Sequence, residues 1–349
     1  MKLKWVRHLG MVGAVALGIG GCRSAAVADR QGLLRPLEQV DFDRARQLKD
    51  ILEVCLERGC FIDRETFEFY GGMPDELMVR ASRLGLTRLH LRLDMARLGS
   101  DSYFAELAAM AAAAHRHDLK INLLLRESAF DYRRSGNWAW REWFDSPEQQ
   151  TARQLDRLLA WLPDGRSGER LPLDGLTLEL SAHESGRPGA LFNWYPNGYG
   201  IGRDNDELMK ASFQFAERLH DLSGGALPMT VVVPYDYHLQ AASGNLSCGS
   251  INDFWKFADQ VIVLAFANTS TQVEAQTAAV LAAADKPEAV LIGLQVARHP
   301  VGDRDSVRRR TFGQFLNVLA GVTDEAKMRQ SFGGVNFSDF YSLENIWEW

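Results

Sequence analysis

The sequence predicts a single-domain α/β fold, a (β/α)8 TIM barrel, on three observations. Eight short apolar runs rich in β-branched residues recur along the chain, at 60–69, 86–94, 119–127, 173–181, 229–237, 260–266, 289–297 and 333–340. Stretches of helical periodicity alternate with them, and strand–helix alternation implies parallel pairing. An open doubly wound sheet usually carries a glycine-rich phosphate loop after its first strand, and no such loop is present. About 300 residues remain after the N-terminal segments, a length that α/β barrels use as one domain.

The elements follow in order. Lys2, Lys4 and Arg7 precede an apolar, glycine-rich run of about a dozen residues, the pattern of a secretory signal. That run is too short to favour a permanent membrane helix, which needs about 18 or more apolar residues. It ends in Ile19-Gly20-Gly21-Cys22, which resembles a bacterial lipobox. Residues 1–21 are thus expected to be a lipoprotein signal peptide, with an acyl chain (palmitate among them) on Cys22. Several acyl chains anchor stably, at about 0.8 kcal/mol per buried methylene. Arg23 after the cysteine, rather than an aspartate, points to the outer membrane by the usual sorting pattern. Residues 22–48 read as lipidated N-terminus, tether and lead-in helix, and 49–349 as the barrel. Between the strands the helical stretches are PDELMVRASRLG, YFAELAAMAAAAHRH, PEQQTARQLDRLLAWL, DELMKASFQFAERLHDL, SINDFWKFAD, VEAQTAAVLAAA and RRRTFGQFLNVLAG. Ser146 before Pro147, and Asp204 or Asn205 before DELM, read as N-caps.

Charge and cysteine content narrow the partners. Loss of residues 1–21 removes three basic and no acidic residues, leaving 36 Lys+Arg against 45 Asp+Glu, about −9 net. Such a balance argues against a nucleic-acid partner. With Cys22 acylated, Cys55, Cys60 and Cys248 remain; Cys55 and Cys60 could pair in an oxidising envelope. No CxxC or HExxH spacing occurs, so neither a metal site nor a cofactor is predicted.

In such a barrel the chemistry sits at the C-terminal ends of the strands. Those ends offer Glu65 and Glu68, Arg92 and Asp94, Arg126 and Glu127, Glu179 and Ser181 with His183 and Glu184, Tyr235 to His238, Asn268, Gln295, and Asn336 with Asp339. Carboxylates with tyrosines and asparagines suit glycoside chemistry. The segments after the third and fourth strands are long for βα loops and rich in aromatics, including Trp138 and Trp194. Flat rings beside Asn, Arg and Gly make platforms for sugar rings. Tyr235, Tyr237, Trp138, Trp194, Arg92 and Asn336 are the candidate substrate-binding residues.

The stretch LDGLTLELSAHES (173–185) concentrates the question. Alternation places Leu176, Leu178 and Leu180 on one face and Gly175, Thr177, Glu179 and Ser181 on the other, towards the barrel interior. This strand resembles the fourth strand of family-18 chitinases, which carries DGxDxDxE. Asp174 and Gly175 match; Thr177 stands at the first inner Asp, Glu179 at the second, and Ser181 at the proton-donating Glu. Weaker echoes, QVIVLAF, AVLIGLQVA and GGVNFSDF, extend the likeness over most of residues 60–340. The resemblance implies a glycoside-hydrolase-like barrel whose family uses the substrate acetamido oxygen as nucleophile. Serine has no proton of useful acidity, so that mechanism fails at Ser181.

Three readings stand. The acid has moved, to Glu179 or Glu184, with Asp236 or Glu127 as second carboxylate; or the barrel binds glycan without cleaving it; or it is a scaffold for envelope protein partners in polysaccharide export or assembly. Each carboxylate could instead form an ion pair at the mouth, since Arg92 and Arg126 are ready partners for Glu127 and Glu179. The expected ligand is an envelope or biofilm polysaccharide.

Overall fold

In the computed structural model the described residues are 39–127, 147–162, 170–180, 203–225, 227–297 and 306–345. Eight parallel strands close into a ring in sequence order: β1 (Glu57–Ile62), β2 (Arg88–Arg92), β3 (Lys120–Arg126), β4 (Gly175–Glu179), β5 (Met229–Pro234), β6 (Gln260–Ala265), β7 (Val290–Leu294) and β8 (Phe332–Phe337). β8 pairs with β1 through Glu57 opposite Gly334 and Cys60 opposite Phe337. The predicted (β/α)8 barrel is therefore the fold.

The helices are α1 (Gln39–Leu52), α2 (Arg64–Tyr70), α3 (Pro74–Arg83), α4 (Asp101–Arg116), α5 (Pro147–Trp161), α6 (Arg203–Leu222), α7 (Asp236–Ala242), α8 (Ser270–Ala283), α9 (Phe312–Ala326) and α10 (Phe340–Glu344). Helix α1 buries Asp41, Ala45, Leu48 and Leu52 at helical spacing and packs between α3 and α9. It thus fills the gap in the shell between the helices that follow β1 and β7. None of the described helices is long and apolar enough to cross a membrane.

Several starts are set by side-chain caps. Asp63 accepts from Thr66 N at 2.7 Å, Thr311 forms a capping box with Gln314, and Asp339 accepts from Ser342 N at 2.6 Å. The Asp63 cap corrects the expected first strand. β1 ends at Ile62, and the apparent alternation of 64–69 is helical, burying Thr66, Phe67 and Tyr70. Glu65 and Glu68 are therefore exposed on α2, and Glu68 bonds Arg64 at 2.8 Å. β5 likewise stops at Pro234, which has no N–H for the ladder, so Tyr235, Asp236 and Tyr237 belong to the start of α7. Asp204 and Asn205 lie inside α6 and do not cap it. Cys55, Cys60 and Cys248 are all free thiols.

Two apolar layers hold the molecule. The larger lies between strands and helices and includes Leu176, Leu178 and Leu180 at 0 % exposure. The smaller fills the barrel itself: Phe61, Leu124, Val232, Ile262 and Leu291, with Leu264 packed against them.

Candidate functional site

The inward residues of β4 organise the candidate site. Register places Gly175 beside Asn122, Thr177 beside Leu124 and Glu179 beside Arg126. Glu179 is the last residue of β4 and lies at the mouth. Its Oε2 is 3.2 Å from Arg92 Nη2 and its Oε1 3.8 Å from Arg126 Nε, with all three side chains partly exposed. Two guanidiniums from β2 and β3 so bracket one carboxylate. An apolar cluster fills the barrel interior.

Below Glu179 runs a chain of buried polar groups. Arg88 pairs with Glu57, Nε to Oε1 at 2.8 Å, and Gln260 Nε2 also donates to Glu57 Oε2. Arg88 Nη1 donates to Asn122 Oδ1 at 2.8 Å, and Asn122 Nδ2 donates to Thr177 Oγ1 at 3.1 Å. Thr177 Oγ1 lies 2.7 Å from His90 Nδ1. Thr177 Oγ1 thus bridges Asn122 and His90. His90 Nε2 faces the Asn336 side chain across Gly59, and Asn336 Nδ2 donates to Phe337 O at 3.3 Å. Burial, aided by the Arg88 charge, pushes His90 down to about 3, so the imidazole is neutral.

The other expected site residues separate. Asn336 is fully buried. Tyr237 is also fully buried; its hydroxyl donates to Leu180 O at 3.4 Å, pinning the end of β4. Tyr235 is half-buried against the core, with its N–H on Leu264 O. Glu127 and Asp236 are buried, at 4 % and 7 % exposure, at the ends of β3 and β5. Of the expected residues, Arg92 and Glu179 meet at the mouth. Asp339 is a helix cap whose carboxyl is raised by burial. His238, lowered by burial, accepts from Ile251 N at 3.2 Å. Ser181, His183, Glu184, Trp138, Trp194 and Cys22 lie outside the described residues.

Sequence reasoning passed over Glu57, Arg88, His90 and Asn122. For two of them the signal was present: in RLHLR (88–92) every second residue is polar within an apolar strand, so Arg88 and His90 project into the barrel as Arg92 does.

No family model matches the sequence, and no curated protein matches it. Among solved structures, a GH18 chitinase from Pseudoalteromonas aurantia aligns over 83 % of this chain and 96 % of its own, with 13 % identity and a TM-score of 0.52. The chain is similar in fold to a GH18 chitinase. A β-glucosidase from Thermotoga maritima aligns over 78 % of each chain with 7 % identity and a TM-score of 0.49. A chitinase from Chromobacterium violaceum ATCC 12472 covers 69 % of this chain and 68 % of its own, at 9 % identity and a TM-score of 0.40. At these identities the likeness is one of fold alone, a (β/α)8 barrel similar to that of the chitinase.

Proposed function

We propose that this chitinase-like barrel is an outer-membrane lipoprotein that engages an envelope or biofilm polysaccharide at its mouth. The single observation that carries the reading is Glu179, held at the C-terminal end of β4 between Arg92 and Arg126. In this role the Glu179 carboxylate, paired with two arginines, stabilises cationic charge beside the sugar. Cleavage then requires a separate acid, for which Glu184, Asp236 and Glu127 are the candidates. The test is incubation of detergent-solubilised protein with amino-sugar and neutral-sugar polymers, reading reducing ends and bound polymer. Loss of both readouts in Glu179→Gln supports the site; full retention of both sinks it.

A second reading, glycan binding without hydrolysis, has its own support. Thr177 occupies the position of a motif carboxylate and is committed to a neutral hydrogen-bonded chain with Asn122 and His90. Neither inward side chain described on β4 is then a proton donor. Bound polymer with no reducing-end release would favour this reading. Polymer neither bound nor cleaved would favour the scaffold role, with envelope proteins as partners.

A further inference from the structure

We infer that Arg310 and Asn268 form an anion subsite on the rim of the mouth, and that the polysaccharide taken there bears acidic groups. The inference rests on the polysaccharide reading of the mouth given above and names the substrate class. The run RRR at 308–310 reads in the sequence as the opening of a helix. In the structure it belongs to a 3-10 turn, Val307–Arg309, that stands ahead of the Thr311 cap of α9. The turn is held in place. The buried Ser306 hydroxyl lies 2.6 Å from Ala297 O, Val307 N donates to Gln295 O, and Arg310 N donates to Val307 O. The loop after β6 is held as well. Gln276 bonds both the N–H and the carbonyl of Phe266, and Gln272 accepts from Asn268 N. These two clamped loops bring Arg310 Nη2 to 3.1 Å from Asn268 Oδ1.

The pairing leaves a cation unbalanced. Arg308 acts on the Asp339 carboxylate, whereas the partly exposed Arg310 meets a neutral carboxamide. Among the described residues no carboxylate forms an ion pair with Arg310. Asn268 and Arg310 each stand just before the cap of a long helix, Thr269 of α8 and Thr311 of α9. Helix N-termini carry partial positive charge, and neither helix has an acidic residue in its first turn. A guanidinium beside two such ends, with no anion to offset it, is disfavoured by folding alone, and functional sites are where such conflicts persist. An anionic ligand resolves it. One Arg310 N–H goes to Asn268; the others, with Asn268 Nδ2, are donors that fit the oxygens of a carboxylate or a phosphate. The attraction is local to the rim, because the chain as a whole is acidic, with a formal net charge of −6 at pH 7. Asn268 follows β6, two strands round the ring from Glu179 on β4, or about 10 Å at the usual strand spacing. The acidic group therefore belongs to a different sugar of the polymer from the one beside Glu179.

The test is co-sedimentation of the detergent-solubilised full chain with insoluble polyuronate, with the same polymer after reduction of its carboxyl groups, and with a phosphodiester-bearing glycan. Retention by an acidic polymer at least ten-fold above the carboxyl-reduced one is expected, and Arg310→Gln should remove that advantage. Preference for the phosphodiester glycan over polyuronate supports the subsite and names its anion as phosphate. Asn268→Asp supplies a carboxylate from the chain itself, so it should raise the melting temperature and abolish the preference for acidic polymer. Three results overturn the subsite and leave the polysaccharide reading intact: equal retention of acidic and carboxyl-reduced polymer, an acidic preference that survives Arg310→Gln, or an unchanged or lower melting temperature in Asn268→Asp. Failure to retain any polymer, acidic, neutral or amino-sugar, sinks that reading and the subsite with it.

Discussion

His90 Nδ1 and Thr177 Oγ1 lie 2.7 Å apart across the interior of the barrel, joining β2 to β4 beneath the mouth. The pair ends a chain of hydrogen bonds that runs from Arg88 through Asn122 and Thr177 to His90. Each member is buried, so each bond replaces hydration lost on folding. The chain ties β2, β3 and β4 together below Glu179.

Thr177→Val keeps the shape and removes the hydroxyl. Asn122 Nδ2 and His90 Nδ1 are left without their partner, at about 1–3 kcal/mol for each unsatisfied group. A total loss of about 2–6 kcal/mol is expected in urea unfolding, with an unchanged slope. A change under about 0.5 kcal/mol would mean the chain has no energetic role.

Acid should destabilise the protein through His90. Its folded value of about 3 is below its ordinary 6.5, so the unfolded state binds the proton first. The contribution is complete above about pH 6.5 and falls as pH drops towards 3, by up to about 1.4 kcal/mol per unit. Asp339, raised by burial, acts in the opposite sense, so the comparison that isolates His90 is wild type against His90→Gln. The difference between their pH–stability curves should flatten above pH 6.5 and slope below it.

Gly59 is a site of close approach. A Cβ there would collide with Asn336 Oδ1 and come within 2.9 Å of His90 Nε2, in an interior that cannot expand. Gly59→Ala should cost about 3 kcal/mol or more, or prevent folding. Gly313→Ala, in open space on α9, should be neutral or stabilise by up to about 1 kcal/mol, and serves as the control in thermal melts.

Glu179→Gln separates site from scaffold. Its arginine partners are partly exposed, so solvent screens the pairs and stability should change by under about 1 kcal/mol. Polysaccharide retention should nonetheless fall at least ten-fold in co-sedimentation with insoluble polymer. A large stability loss with intact retention would make Glu179 a structural ion pair only.

Alternation in the sequence was enough to count eight strands, close them into a ring and turn Thr177 and Glu179 inward, because successive side chains of a strand point to opposite faces. It also put Glu179 at a strand end, and it named Arg92 and Arg126 as possible ion-pair partners for Glu127 and Glu179. Where β1 and β5 stop was decided by the Asp63 cap and by Pro234, local bonds that override the run of apolar residues. Only the closed ring could decide that Asn336 and Tyr237 are interior, that Arg92 and Arg126 converge on Glu179, and that His90 meets Thr177. These residues lie up to hundreds of positions apart, and their separation in space follows from strand stagger around the barrel, a quantity no local pattern carries.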